Sequence, residues 1–165
     1  MKFYLPIQTK IGQFYAVSHK GCLVQLAVQE EIADLEKMMP GYDVPVLQDV
    51  QAWMHAYQNG SALPLQKIPM KPEGTDFQRC VWKILMQIPY GCCSSYGAIA
   101  REVKEKMGVE NMSAQAVGAA VGKNPIPILI PCHRVLGAKG ALTGFRYGIL
   151  NKSILLDHEG ISYRY

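Results

Sequence analysis

Cys132, His133 and Arg134 follow one another inside an apolar, proline-stiffened run, Ile126-Pro-Ile-Leu-Ile-Pro-Cys-His-Arg-Val-Leu136. Such a run heads for a dry interior, where a core has no use for three polar groups. A thiol becomes a strong nucleophile only as thiolate, and histidine is the usual base that makes it one. Neighbouring side chains of an extended segment point to opposite sides, which predicts that His133 reaches Cys132 through a bridging water. A free cysteine is also a small hydrophobe that packs well in cores, and the tripeptide alone leaves both readings open. Glu159, after the apolar helical face of Ile154, Leu155 and Leu156, can turn inward as a third member or stay a surface carboxylate.

These residues need elements to hold them. Residues 2–8, 12–18 and 22–28 read as three short strands, with a hairpin turn at Ser18-His-Lys-Gly21. A helix is expected from about Glu30 to Met39, stopped by Pro40-Gly41. A second runs from about Leu47 to Gln58, with Val50, Trp53, Met54 and Tyr57 on one face. Ile68 to Gly74 is a linker by composition, so the division expected is residues 1–70 and 75–165. Thr75-Asp-Phe-Gln78 has the spacing of a capping box and opens a helix carrying Phe77, Val81, Ile84, Leu85 and Ile88, ended by Pro89. Trp82 belongs with that core.

Ser95 is placed to cap a helix over Tyr96 to Met107, with Gly108 at its end, and Ser113 to cap another over Ala114 to Gly122. Two short helices joined by a tight turn suggest a helix-turn-helix. The second is almost without side chains, and each of its glycines costs roughly 1 kcal/mol relative to alanine. Either close helix packing or entry into a groove about 6 Å wide would require that thinness. Gly137 to Gly148 forms a glycine-rich loop mobile enough to cover a pocket, and Asn151 opens the last helix.

Bulk composition narrows the classes. Hydrophobic residues at 49% and charged residues at 18% of 165 are those of a globular protein. No apolar stretch has the length of a membrane span and the N-terminus has no signal-peptide core. The five cysteines at 22, 80, 92, 93 and 132 are odd in number, without C-x-x-C spacing. A reducing, cytoplasmic setting is expected, with Cys92 and Cys93 as reduced thiols. His19, Cys22 and His55 match no recurrent zinc spacing, and no metal or cofactor is expected. Residues 1–75 carry 6 Lys and Arg against 7 Asp and Glu, whereas residues 76–165 carry 11 against 6. The basic half, which holds Cys132, could face a polyanion such as DNA.

Pro131-Cys-His-Arg-Val135, preceded by Asn124-Pro-Ile-Pro-Ile-Leu-Ile130 and Ser113-Ala-Gln-Ala-Val-Gly118, closely resembles the methylated-DNA-protein-cysteine methyltransferases, the 6-O-alkylguanine-DNA alkyltransferases. The resemblance runs from about Thr75 to Gly160; the N-terminal half matches in length and strand order only. It implies an α+β fold in which a ribonuclease-H-like α/β domain precedes a mostly helical, winged helix-turn-helix alkyltransferase domain. The implied reaction is direct-reversal repair: a monomer binds double-stranded DNA through the minor groove, flips the damaged base and moves the alkyl group irreversibly onto its own cysteine. The substrate would be chiefly 6-O-methylguanine, with 4-O-methylthymine as a second candidate.

The same resemblance gives Cys132 as alkyl acceptor, His133 as water-mediated base, Glu159 as the group that polarises it, and Asn124 as the tie of the cysteine turn. Tyr96 would crowd the phosphate and donate to guanine N3. Ser113, Ala114, Gln115, Lys123 and Arg134 join Tyr96 at the DNA, and Pro127, Val135, Phe145, Arg146 and Tyr147 line the pocket with it. Gln115 stands where many members carry an intercalating arginine, implying weaker base extrusion. Phe145-Arg-Tyr-Gly148 replaces a Tyr-Ala-Gly-Gly or Tyr-Ser-Gly-Gly form, and Tyr147 should narrow the pocket mouth and favour methyl over benzyl adducts. Two other classes remain: a helix-turn-helix sensor whose cysteine is modified without repair, which has no need of the His133 and Glu159 relay, and a Cys-His hydrolase, which would turn over.

Overall fold

A computed structural model describes residues 1–165 as a mixed α/β chain of five helices, a four-stranded sheet and a two-stranded parallel pair. The chain divides into two compact units, residues 1–73 and 74–165. In the first, β1 (Lys2–Thr9), β2 (Gly12–His19) and β3 (Cys22–Ala27) form an antiparallel meander, and β4 (Met39–Pro40) completes the sheet in the order β3-β2-β1-β4. Cross-strand partners Leu5↔Ala16 and Ile7↔Phe14 put their side chains on the buried face. Helix α1 (Pro45–Gln58) buries Val46, Leu47, Val50, Trp53, Met54 and Tyr57. Burial of six such side chains supplies roughly 10 kcal/mol or more. The helix starts two residues earlier than expected because Pro45, with φ already fixed, suits its first turn.

The expected helix over 30–39 does not form. Two single 3-10 turns, Gln29–Glu31 and Leu35–Lys37, are separated by Asp34 in the left-handed region (φ 57°). Ile32 is buried beside Val17 and Ala27, with Leu35 and Met38 packed on the same cluster. The segment then pairs Met39–Pro40 (β4) in parallel with Phe3 and Tyr4 of β1. A stretch of ten residues has little helical stability of its own, so burial and strand pairing decide its shape.

Nor is 68–74 a free linker. Ile68 is buried, Leu23 N donates to Pro69 O (2.8 Å) and Lys71 N donates to Leu23 O (2.8 Å). The segment thereby extends the β3 side of the sheet.

The second unit opens with α2 (Asp76–Leu85). Gln78 N donates to Thr75 Oγ1 (3.1 Å) and Thr75 N to Gln78 Oε1 (3.0 Å), closing the capping box. Val81, Trp82, Ile84 and Leu85 are buried, while Phe77 stays half-exposed. The Trp82 ring leaves no space for a side chain at Gly74, where a Cβ would lie 2.5 Å from it. Helix α3 (Tyr96–Met107) is capped by the Ser95 hydroxyl, which accepts from Ala98 N (3.0 Å), and ends at Gly108 with φ 65°. Helix α4 (Ala114–Gly122) is capped by Ser113 in the same way. Trp82 Nε1 donates to Ala120 O (2.9 Å), fixing α4 against α2. A short parallel pair, β5 (Ser94–Ser95) with β6 (Val135–Leu136), sets the cysteine turn beside the start of α3. Helix α5 (Ile149–Glu159) closes the unit. It begins two residues before Asn151, whose side chain donates back to Tyr147 O (2.8 Å). No helix is long and apolar enough to cross a membrane.

Candidate active site

The segment before Cys132 is a tied knot. Asn124 Nδ2 donates to Ile130 O (2.7 Å), Asn124 Oδ1 accepts from Ile126 N (2.9 Å), and Ile130 N donates to Ile126 O (2.9 Å). The knot holds Ile128 in the left-handed region at φ 73°, a strained conformation for a β-branched residue. Cys132–Arg134 then form one 3-10 turn, not the extended segment expected. Its side chains fan out around the turn by roughly 120° per residue instead of alternating between two sides.

The fan sends three groups in three directions. Cys132 enters the wall of a cavity of about 220 Å³, shared with Tyr96, Gly118, Asn124, Pro127 and the loop side chains Phe145, Arg146 and Tyr147. His133 is wholly buried, with Nε2 2.5 Å from Glu159 Oε2. Arg134 turns inward as well: Nε donates to Glu159 Oε1 (2.7 Å) and Nη1 to Ile88 O (2.7 Å). Expected at the DNA, Arg134 is instead buried, because the Glu159 carboxylate needs a permanent countercharge away from water. Val135, expected in the pocket lining, is fully buried outside it, committed to the β6 pairing.

The charges follow from these neighbours. Burial alone would raise the Glu159 carboxyl, but the hydrogen bonds from His133 and Arg134 and the Arg134 charge outweigh it and hold the group well below the usual carboxylate range, at about 2. Burial pushes the His133 imidazole down, against the pull of Glu159. The consistent state is a Glu159–Arg134 ion pair with a neutral imidazole donating Nε2–H to Oε2. His133 Nδ1 then carries the lone pair, and it is buried without a hydrogen-bond partner in the protein. Burial likewise raises the Cys132 thiol, tempered by the Asn124 side chain and by the charges of Lys152 and Arg146. The cysteine therefore rests as a thiol, and the imidazole that follows it in the chain has a buried Nδ1 able to accept a proton. Tyr96, raised by burial and by Cys132, keeps its phenolic proton and stays a donor.

Lys152 was not anticipated from the sequence. It is completely buried, and its ammonium donates to Val135 O (2.5 Å), Thr143 O (2.7 Å) and Gly144 O (3.0 Å). Burial pulls its pKa down to about 8 against the opposing effect of Cys132, which leaves it charged at neutral pH. Three donors on three carbonyls join the cysteine turn to the loop that walls the cavity. The C-terminal segment holds the loop as well, through Leu142 N to Arg164 O and Arg164 N to Gly140 O. The glycine-rich loop is thus pinned at several points rather than free to swing. In the sequence, only the spacing of Lys152 from Glu159, two turns along one helix, hinted that it faces the same interior.

Ser113, Ala114, Gln115 and Lys123 are exposed at the two ends of α4, and Tyr96 spans to the cavity, its hydroxyl 3.4 Å from Thr143 O. Cys92 and Cys93 are exposed free thiols, and no group of His, Cys, Asp and Glu is arranged to hold a metal ion.

The family described as 6-O-methylguanine DNA methyltransferase, DNA binding domain, matches residues 76–161. A methylated-DNA–protein-cysteine methyltransferase of Haemophilus influenzae is 37% identical over 162 residues, covering 98% of this chain and 88% of that protein. The crystal structure of the Mycobacterium tuberculosis O6-methylguanine methyltransferase superposes with a TM-score of 0.76 at 36% identity, covering 96% of this chain and 93% of the other. That of Mycobacterium tuberculosis OGT in complex with DNA gives 0.78 at 36% identity, covering 95% and 92%. With the cysteine turn, its imidazole and carboxylate all inside the matched residues, the chain belongs to the methylated-DNA–protein-cysteine methyltransferase family.

Proposed function

We propose that this protein repairs DNA by direct reversal, taking the alkyl group of a 6-O-alkylguanine onto Cys132 in a single, irreversible event. The observation that carries the reading is the contact of His133 Nε2 with Glu159, which leaves Nδ1 buried and unpartnered, one residue along the chain from a cysteine that opens into a cavity of about 220 Å³. Nδ1 takes the thiol proton, directly or through water, as the sulfur attacks the alkyl carbon. Tyr96, kept protonated, donates to the departing base. Asn124 positions the turn. A thioether is chemically inert, so each molecule acts once and no cofactor enters.

In this reading the second unit is a winged helix-turn-helix and the first a ribonuclease-H-like domain. A monomer presents α4 to the minor groove, with Ser113, Ala114, Gln115 and Lys123 at the DNA and the flipped base in the cavity. Support comes from the glycines of α4, which helix packing does not require. A Cβ at Gly122 would meet nothing within 4 Å, and one at Gly118 would make only ordinary contact, 3.7 Å from the Tyr96 ring. Ala119→Leu, on the exposed surface of α4 and outside the cavity lining, is therefore expected to change stability by only a few tenths of a kcal/mol while lowering affinity for duplex DNA. Denaturant unfolding and fluorescence anisotropy measure the two effects; unchanged affinity would remove the groove explanation.

The function itself is tested by intact and peptide mass spectrometry after mixing the protein with a duplex containing one 6-O-methylguanine. A gain of one methylene mass on the Cys132 peptide, absent in Cys132→Ala, is expected. Tight DNA binding without mass gain would favour the alternative of a sensor that modifies nothing.

A further inference from the structure

Among the residues lining the Cys132 cavity, Arg146 is the only charged one. Two of the other polar side chains there are engaged: Asn124 is spent on Ile130 O and Ile126 N, and the Tyr96 hydroxyl lies toward Thr143 O. Lys152, behind the wall, has all three donors on carbonyls and is absent from the lining. The Arg146 guanidinium sits 5.8 Å from the centre of the Tyr147 ring, a cation–π contact between two residues of the cavity lining. Its charge acts on the Cys132 sulfur as well. The position is held by a glycine-flanked loop that Lys152 ties down, so the guanidinium is carried on a fixed support rather than a free strand.

A purine offers such a group one matching edge. N7 and O6 of guanine lie side by side as acceptors, and a bidentate arginine on them is the commonest specific contact to that base. Alkylation leaves N7 unchanged and O6 with a lone pair. As the bond from O6 to the alkyl carbon breaks, its electron pair stays on the guanine and the oxygen gains negative charge.

We propose that Arg146 is a catalytic residue, donating to N7 and O6 of the flipped base and stabilising the charge that arrives on O6 during transfer. The assignment rests on the alkyl-transfer reading above. In the balanced step, the bond from sulfur to alkyl carbon forms as the bond from O6 to that carbon breaks. The thiol proton passes to His133, and the guanine leaves with the electron pair and regains one proton. A donor aimed where charge develops acts on the rate more than on ground-state binding.

The test is a two-by-two comparison with the full chain: wild type and Arg146→Met, each in single turnover at saturating protein, on duplexes containing 6-O-methylguanine or its 7-deaza analogue. Wild type should transfer from the deaza base roughly tenfold more slowly or worse, and Arg146→Met should lose a similar factor on the normal base. The deaza substitution should then cost the variant almost nothing further, because the partner of N7 is already gone. Independent, multiplying losses would overturn the assignment. So would a variant with normal saturated rate but equally weakened binding to damaged and undamaged duplex, which would make Arg146 a phosphate contact. Wild type that leaves Cys132 unmethylated on the normal substrate would defeat the transfer reading itself, an outcome distinguishable from both.

Discussion

Glu159→Gln is expected to keep duplex binding and to lose roughly 10²–10⁴-fold in the rate of alkyl transfer. The reason lies in which proton sits where. Glu159 Oε2 can only accept, so it selects the imidazole tautomer with hydrogen on Nε2 and the lone pair on Nδ1. A glutamine amide can present its NH2 to the same nitrogen, favouring hydrogen on Nδ1 and leaving no base for Cys132. The analogous change in a Ser-His-Asp triad acts through the tautomer in this way. The variant also leaves Arg134 buried without its countercharge, a loss on the order of 3–5 kcal/mol, so rates belong at a temperature where circular dichroism shows it folded.

Stability gives an independent reading of the same substitution. The Glu159 pKa is depressed, so its contribution is fully present above the ordinary carboxylate range and is lost as pH falls toward about 2. The gap in unfolding free energy between wild type and Glu159→Gln should therefore shrink as pH is lowered from 5 toward 2. A gap independent of pH over that window, or a variant with wild-type transfer, would show that the carboxylate does not set the imidazole.

Lys152→Met should be the most damaging change outside the cysteine and its relay. It leaves Val135 O, Thr143 O and Gly144 O without their donor. An unsatisfied buried acceptor costs roughly 1–3 kcal/mol; Thr143 and Gly144 are exposed enough to recruit water, so a net loss of about 3 kcal/mol is expected. The released segment carries Phe145, Arg146 and Tyr147, the outer wall of the cavity. Limited proteolysis should accordingly cut within 143–148 in the variant and not in wild type, and alkyl transfer should fall with it. A variant that unfolds at the wild-type denaturant midpoint and resists cleavage there would remove Lys152 as the tie.

Local chemistry wrote much of the second unit legibly. Thr75 with Gln78, Ser95 with Gly108, and Ser113 at the thin helix each satisfy orphan backbone groups within a few residues, so the limits of α2, α3 and α4 can be read without knowing what surrounds them. The meander of β1 to β3 is equally local, set by alternation and tight turns. Where the sequence misled, a distant partner decided. Glu30 to Met39 has acceptable helix formers, yet the cluster around Val17 and the edge of β1 shape it otherwise.

The cysteine region shows the same division most sharply. The sequence by itself brings a thiol, an imidazole and a carboxylate into one apolar setting and makes nucleophilic chemistry a reasonable expectation. Only the tertiary structure bends Cys132–Arg134 into a 3-10 turn, turns Arg134 inward onto a carboxylate 25 residues away, and buries Lys152 on carbonyls of irregular backbone. A buried charge is tolerated only where its partners converge. Those partners come from separate segments, three of them backbone oxygens that any residue supplies, so no pattern of residue types along the chain could have announced them.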